Sequence, residues 1–243
     1  MTEQPPDLSE LCVIFDLDGT LVDSGPDLTA AMNAVLAEEG LPELAEATVR
    51  HLVGDGARAL LRRGYAADGQ AFPDGAAGDA LVERFIEHYR ARLTDRTRPF
   101  PGAEACLDRL AGAGAALAVC TNKPHDLAVG VLEGLGLMGR FAEVLGRDSL
   151  PACKPDPAPL LEILRRTGRA RGVMIGDTMT DVAAARAAGM PVMLATFGYG
   201  GGGYGGGGYG TGGGRPEIAL QTHEQRFEDF EALFGLVVAA SPA

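Results

Sequence analysis

Three short apolar runs, each broken off by polar residues, constrain this chain more than anything else in it. Residues 12–15 run into Asp16-Leu17-Asp18-Gly19-Thr20, residues 115–120 into Thr121-Asn122-Lys123-Pro124, and residues 172–175 into Gly176-Asp177-Thr178-Met179-Thr180-Asp181. Runs this short, bounded by turn-forming residues, are the pattern of strands buried on both faces. Between and after them, apolar residues recur at helical spacing over 103–110, 126–135, 157–167 and 182–188. A short strand at 141–145 and a further one at 191–195 complete the set. Strands alternating with helices predict an α/β fold built on a doubly wound parallel sheet. In such sheets ligands bind at the C-terminal strand ends, near the point where strand order reverses.

One block departs from the alternation. Residues 26–39 carry Leu28, Ala31, Met32, Val35 and Leu36 at helical spacing, with Ser24 or Asp27 as candidate caps and Gly40 as a stop. After the Gly54-Asp55-Gly56 break, residues 57–65 read as a short basic helix. Residues 64–78 read as a loop, and Leu81, Phe85, Tyr89 and Leu93 form a longer stripe. No strand pattern interrupts this block. We therefore expect residues 24–95 to form an all-helical domain inserted after the first strand, with residues 96–101 as the return hinge. The core then comprises residues 1–23 and 96–243. A single helical crossover fits less well, because a crossover usually holds one helix rather than about four.

Composition narrows the function. The 243 residues carry a net charge of −12, which argues against non-specific nucleic-acid binding. An anionic substrate would need a cation and a few well-placed basic groups. No apolar run reaches membrane-spanning length, and the N-terminal Met-Thr-Glu-Gln-Pro-Pro-Asp is unlike a signal peptide. Cys12, Cys106, Cys120 and Cys153 lack paired spacing and read as reduced thiols of a cytoplasmic protein.

The chemistry gathers at the strand ends. On a strand with period two, Asp16 and Asp18 project to one side. Two carboxylates in one small site repel unless a proton or a cation intervenes. That suits a nucleophile beside an acid/base group, or half of a Mg²⁺ site. The Thr121 hydroxyl and the next backbone N–H could grip a phosphoryl oxygen, and Lys154 suits charge neutralisation beside it. Asp177 is placed to complete an oxygen-rich cation site with Asp16, and Asp181 to support it from one helical turn further on. Singly, each residue reads as a cap or a surface charge. Four such motifs at strand ends are hard to attribute to capping alone.

Together these motifs resemble the haloacid dehalogenase-like hydrolase superfamily. The matching stretches are Asp16-Leu17-Asp18-Gly19-Thr20, Thr121-Asn122-Lys123, Lys154-Pro155 and Gly176-Asp177 through Asp181, with a helical insert after the first. Within the superfamily, the Thr-Asn-Lys-Pro-His run, Asp148-Ser149-Leu150-Pro151 and the 53–58 stretch are similar to a phosphoglycolate phosphatase-type branch. The resemblance implies a Rossmann-like core with a helical cap, and Mg²⁺-dependent hydrolysis of a small anionic phosphoester by a monomer or homodimer. It implies Asp16 as the nucleophile that becomes an aspartyl-phosphate and Asp18 as the acid/base. Mg²⁺ would be held by Asp16, the Asp18 backbone carbonyl and Asp177. Thr121, Asn122 and Lys154 would hold the phosphoryl oxygens, and Asp55, Gly56 and Arg58 of the cap would read the leaving group, with Arg58 meeting a carboxylate. Asp18 argues against dehalogenation, since the true dehalogenases lack this second carboxylate.

The alternatives are a sugar-phosphate phosphatase or mutase, a pyrophosphatase, a phosphonate hydrolase, or a non-catalytic binding protein on the same fold. The two lysines of the chain, Lys123 and Lys154, both lie outside the insert, which tells against a Schiff-base phosphonate hydrolase. His51, His88, His125 and His223 lack ligand spacing. Cys153 beside Lys154 departs from the family pattern and offers a route to oxidative sensitivity. Residues 198–214 repeat Gly-Tyr-Gly-Gly-Gly with tyrosines at 199, 204 and 209, and read as a flexible loop. Phe227, Phe230, Leu233 and Phe234 then predict a closing helix.

Overall fold

The computed structural model describes residues 6–54, 56–200, 218–221 and 224–240. Asp55 and most of the Gly/Tyr-rich repeat, residues 201–214, lie outside the described residues. Six strands form one parallel sheet: β1 (Leu11–Phe15), β4 (Ala116–Cys120), β5 (Glu143–Leu145), β6 (Arg171–Gly176), β7 (Val192–Ala195) and β8 (Gln225–Phe227), in the order β5-β4-β1-β6-β7-β8. All five pairings are parallel. The chain builds outward from β1 through β4 to β5, then crosses to the other side of β1 for β6. The strand order therefore reverses at β1, whose C-terminal end is the expected ligand crevice.

Alternation along each strand divides the core into two layers. Val13, Phe15, Leu117, Val119, Val173 and Ile175 face one layer, with Leu107 and Leu110 of α5 (Ala103–Gly112), Val131 and Leu132 of α6 (His125–Gly134), and Phe230 and Leu233 of α9 (Phe230–Ala239). Cys12, Ile14, Ala116, Ala118, Cys120 and Met174 face the other, with Leu160 and Ile163 of α7 (Ala158–Thr167) and Val182 and Ala185 of α8 (Met179–Ala188). Both faces of β1 are apolar because both are covered, which explains its unbroken apolar run.

Among the described residues, four helices lie between the first strand and the rest of the sheet: α1 (Gly25–Glu38), α2 (Glu46–Arg50), α3 (Ala57–Ala67) and α4 (Gly75–Arg90). A short antiparallel ribbon of β2 (Val22–Asp23) and β3 (Arg98–Pro99) brackets them. Asp27, in the first turn of α1, accepts from the Arg96 and Thr97 backbone N–H groups and from the Thr97 hydroxyl. Ser24 holds the N-cap position of α1 but makes no side-chain capping bond, and Asp27 lies within the first turn. The Ser24 hydroxyl donates to Asp18 instead, and Asp27 closes the return path.

Three elements differ from the sequence reading. Gly64 and Gly78 lie inside α3 and α4 instead of bounding a loop. At Gly78 a Cβ would come to 2.2 Å from the Pro73 carbonyl oxygen, so the glycine serves close packing and does not break the helix. Phe227 belongs to strand β8 and not to the closing helix. Its register against Ala195 buries the ring against Phe197 and Phe230, an aromatic contact that local spacing does not reveal. Asp229 caps α9 by accepting from the Ala232 N–H at 2.8 Å.

Candidate active site

The ends of β1, β4 and β6 bring the polar motifs together. The Asp16 N–H still donates to the Ile175 carbonyl at 2.8 Å, so Asp16 extends the ladder by one residue. Beyond it the chain turns: the N–H groups of Thr20, Leu21 and Val22 all return to the Leu17 carbonyl. Asp18 therefore sits in a turn and not on a strand. Even so, Asp16 and Asp18 line the same cavity.

Each carboxylate has its own cation. Lys154 Nζ lies 2.9 Å from Asp16 Oδ1 and 2.6 Å from Asp181 Oδ1. Lys123 Nζ donates to both oxygens of Asp18, at 2.9 and 2.8 Å, and lies 4.4 Å from the Tyr89 ring centroid. Ser24 Oγ adds a 2.5 Å bond to Asp18 Oδ1. Both ammonium groups are buried. Burial alone would depress them, but Asp16 and Asp181 around Lys154, and Asp18 and Tyr89 around Lys123, outweigh it and hold both pKa values above the ordinary lysine range.

On two of the acids burial outweighs the partners that oppose it. It pushes Asp16 up to about 6, with Asp181 and Asp18 adding to the shift and Lys154 opposing it. It pushes Asp177 up to about 8, with Asp181 and Asp16 adding and the Gly200 N–H and Thr20 hydroxyl opposing. Oxygens of Asp16, Asp177 and Asp181 lie within 4.8 Å of one another. An ionised carboxylate has about four acceptor positions. Asp181 fills them with Lys154, the Asp177 N–H, and the Thr178 N–H and hydroxyl. Asp177 fills three, from Thr20 Oγ1 at 3.1 Å and the Tyr199 and Gly200 N–H groups at 2.7 and 3.0 Å. Asp16 Oδ1 is buried and, although ion-paired, accepts no hydrogen bond. A hard divalent cation fits this set: Asp16 and Asp177 have lone pairs to give it, whereas Asp181 is already committed to orienting Lys154 and α8.

The remaining expected residues are less uniform. Thr121 and Asn122 line the cavity, the Thr121 hydroxyl accepts from the Lys123 N–H at 3.2 Å, and Asn122 Nδ2 donates to the Lys154 carbonyl at 3.0 Å. Gly56, at the N-terminus of α3, lines the cavity as well. Arg58 does not. It pairs with Asp79 and packs over the Phe72 ring at 5.8 Å, on the outer side of the helices. Helical geometry explains the correction: two residues beyond Gly56, the side chain has rotated to the opposite face. Asp55 lies outside the described residues.

The sequence reading missed Lys123 and Tyr199. Only two of the chain's 21 basic residues are lysines, and both are buried at this site, a scarcity that marks Lys123. Tyr199, expected in a flexible loop, is buried. Its N–H holds Asp177, its hydroxyl donates to Asp23 Oδ1 at 2.7 Å, and the hydroxyl oxygen accepts from the Gly25 N–H at 2.8 Å. Arg50, doubly bonded to Asp23, lies 5.6 Å from the Tyr199 ring centroid.

Over these groups lies a cavity of about 50 Å³, polar at the sheet and apolar toward Leu28, Val53, Leu60, Phe85 and Tyr89. A water needs roughly 10–15 Å³ of such space, so the room suits a small molecule. Residues 13–195 match the haloacid dehalogenase-like hydrolase family. The chain is 47% identical over 195 residues to a phosphoglycolate phosphatase of Caulobacter vibrioides, covering 79% of this chain and 82% of that protein. It is 44% identical over 201 residues to one of Agrobacterium fabrum, covering 82% and 84%. Among solved structures, a predicted phosphoglycolate phosphatase from Haemophilus somnus superposes with a TM-score of 0.79 at 29% identity, covering 93% of this chain and 97% of that one. Sequence, sheet and strand-end carboxylates agree: the chain belongs to the haloacid dehalogenase-like hydrolase family and is phosphoglycolate phosphatase-like within it.

Proposed function

We propose that this protein hydrolyses a small phosphomonoester, 2-phosphoglycolate, through an aspartyl-phosphate on Asp16. The observation that carries the reading is the separation of two neighbouring carboxylates into different settings. Asp16 faces Lys154 and the Asp177–Asp181 cluster, and Asp18 faces Lys123 and Ser24 at the cavity wall. An Asp16 oxygen attacks phosphorus as the ester P–O bond breaks, and Asp18 gives its proton to the departing alkoxide. Water then attacks the acyl phosphate, Asp18 takes its proton, and the Asp16–phosphorus bond breaks to release phosphate. Thr121, the Asn122 N–H and Lys154 hold the phosphoryl oxygens. Asp16, the Asp18 carbonyl and Asp177 would hold Mg²⁺, which when bound offsets phosphoryl charge and aligns the reacting group.

Residues 24–95 would act as a cap whose helices exclude water from the cavity. The relatives' shared name supports the substrate. The acidic chain and free cysteines support a cytoplasmic enzyme working on a small anion, as a monomer or homodimer. The test is phosphate release from a panel of phosphoesters with and without Mg²⁺. A preference for 2-phosphoglycolate that chelation removes and Asp16→Asn abolishes is the expected result. Metal-dependent activity without that preference would keep the chemistry and discard the substrate. Silence across the panel would overturn both.

A further inference from the structure

With Arg58 turned away, a substrate carrying a second anionic group needs another cation to meet it. Beyond its polar floor the cavity is walled by hydrocarbon, and an anion buried there without a partner is strongly disfavoured. Lys154 lies between Asp16 and Asp181, outside the cavity lining, and serves the transferring phosphoryl group. Arg147 reaches the rim, where its guanidinium would lie 3.2 Å from a Cβ on Gly56, but it is exposed and outside the cavity lining. Lys123 is the one cationic side chain among the described lining residues. It is buried, and Asp18 and the Tyr89 ring hold its ammonium at the seam between the sheet and α4. An ammonium has three donors. Two go to Asp18 and the third faces the Tyr89 ring, an interaction weaker than a bond to a carboxylate.

We propose that Lys123 is the specificity-determining residue of this site, and that its ammonium binds a carboxylate on the leaving group. The inference rests on the proposed phosphatase reaction and deepens it. Its geometry also limits substrate length. The same ammonium touches Asp18, which serves the ester oxygen. A carboxylate bound to it must therefore sit within one or two carbons of that oxygen, so short 2-phospho acids fit and longer ones do not.

The test compares 2-phosphoglycolate with ethyl phosphate, which keeps the two-carbon chain and lacks the carboxylate. In Lys123→Met, kcat/KM for 2-phosphoglycolate falls at least about tenfold more than kcat/KM for ethyl phosphate, mainly through KM. Any loss transmitted through Asp18 acts on both substrates and cancels in the ratio. Lys123→Arg recovers part of the preference, and Arg147→Met leaves the ratio as in the parent protein. Equal losses on both substrates in Lys123→Met, or a ratio that collapses in Arg147→Met instead, would overturn the proposal. If the Met variant does not fold, inhibition of the parent protein decides: 3-phosphonopropionate should bind at least about tenfold tighter than propylphosphonate, and equal binding refutes the assignment. A parent protein inactive on every phosphoester would instead refute the phosphatase reading itself.

Discussion

Lys154 sits between two buried carboxylates, and removing it leaves both without a cation. Breaking a buried pair from one side typically costs about 3–5 kcal/mol. Lys154→Met should lose about that much in urea unfolding without divalent cation, and a loss within about 0.5 kcal/mol would mean the pairs contribute little. The acids carry a pH signature of opposite sense to the usual ion-paired carboxylate. Unfolded, Asp16 and Asp177 titrate near 3.8; folded and metal-free, they titrate at about 6 and about 8. Within that window the folded state binds more protons, so stability falls as pH rises. In chelator the Tm should be lower near pH 8 than near pH 5, and Mg²⁺ should raise it more near pH 8, as differential scanning calorimetry would record. A metal-free Tm that climbs across this interval would contradict the burial assigned to the two acids.

At the scale of elements, the segment after β7 ties the acidic cluster to the helices. Gly198 passes so close to Asp177 that a Cβ would come to 2.3 Å from the Asp177 Cβ and 2.5 Å from the Gly19 carbonyl oxygen. Gly198→Ala must displace Asp177, and changes behind a metal ligand commonly weaken binding about 10–100-fold. Calorimetric Mg²⁺ titration would read this, with unchanged affinity excluding Asp177 as a ligand. Tyr199→Phe keeps the ring and the N–H bond to Asp177 but removes the hydroxyl shared by Asp23 and Gly25. It should lower stability by about 1–3 kcal/mol while leaving Mg²⁺ affinity near that of the parent. Local pattern could not anticipate this anchoring. The glycine-rich composition after Phe197 describes chain entropy, whereas Tyr199 is ordered by partners more than 20 residues away in sequence. The strands were legible for the opposite reason: burial on both faces leaves an apolar run that any reader of the chain meets.

Across the whole molecule, Asp27 fastens the return of the chain to the start of α1. Asp27→Ala would strand two backbone N–H groups at about 1–3 kcal/mol each. Amide exchange at Arg96 and Thr97 should then rise more than at β1, and uniform protection would show that the clamp does not hold the helices to the sheet. The thiols are a quieter feature. Cys12, Cys106 and Cys120 are buried, and burial pushes them up to about 11, 12 and 12, where thiolate chemistry is suppressed. Cys153 alone is half-exposed.

By itself the sequence determined the sheet class, and it pointed to a run of helices after the first strand and to Asp16, Asp18, Thr121, Lys154, Asp177 and Asp181 as polar residues at the strand ends. Those facts are local: period-two and period-3.6 burial write themselves into residue order, and strand-end carboxylates stand out against apolar runs. Only the tertiary structure decided which lysine faces which acid, that Arg58 turns outward while Lys123 faces the cavity, and that Tyr199 closes the site from behind. Those outcomes depend on crossover connections that bring residues 18, 89, 123 and 199 together, and side-chain direction at such a junction is set by packing between elements, which no local window contains.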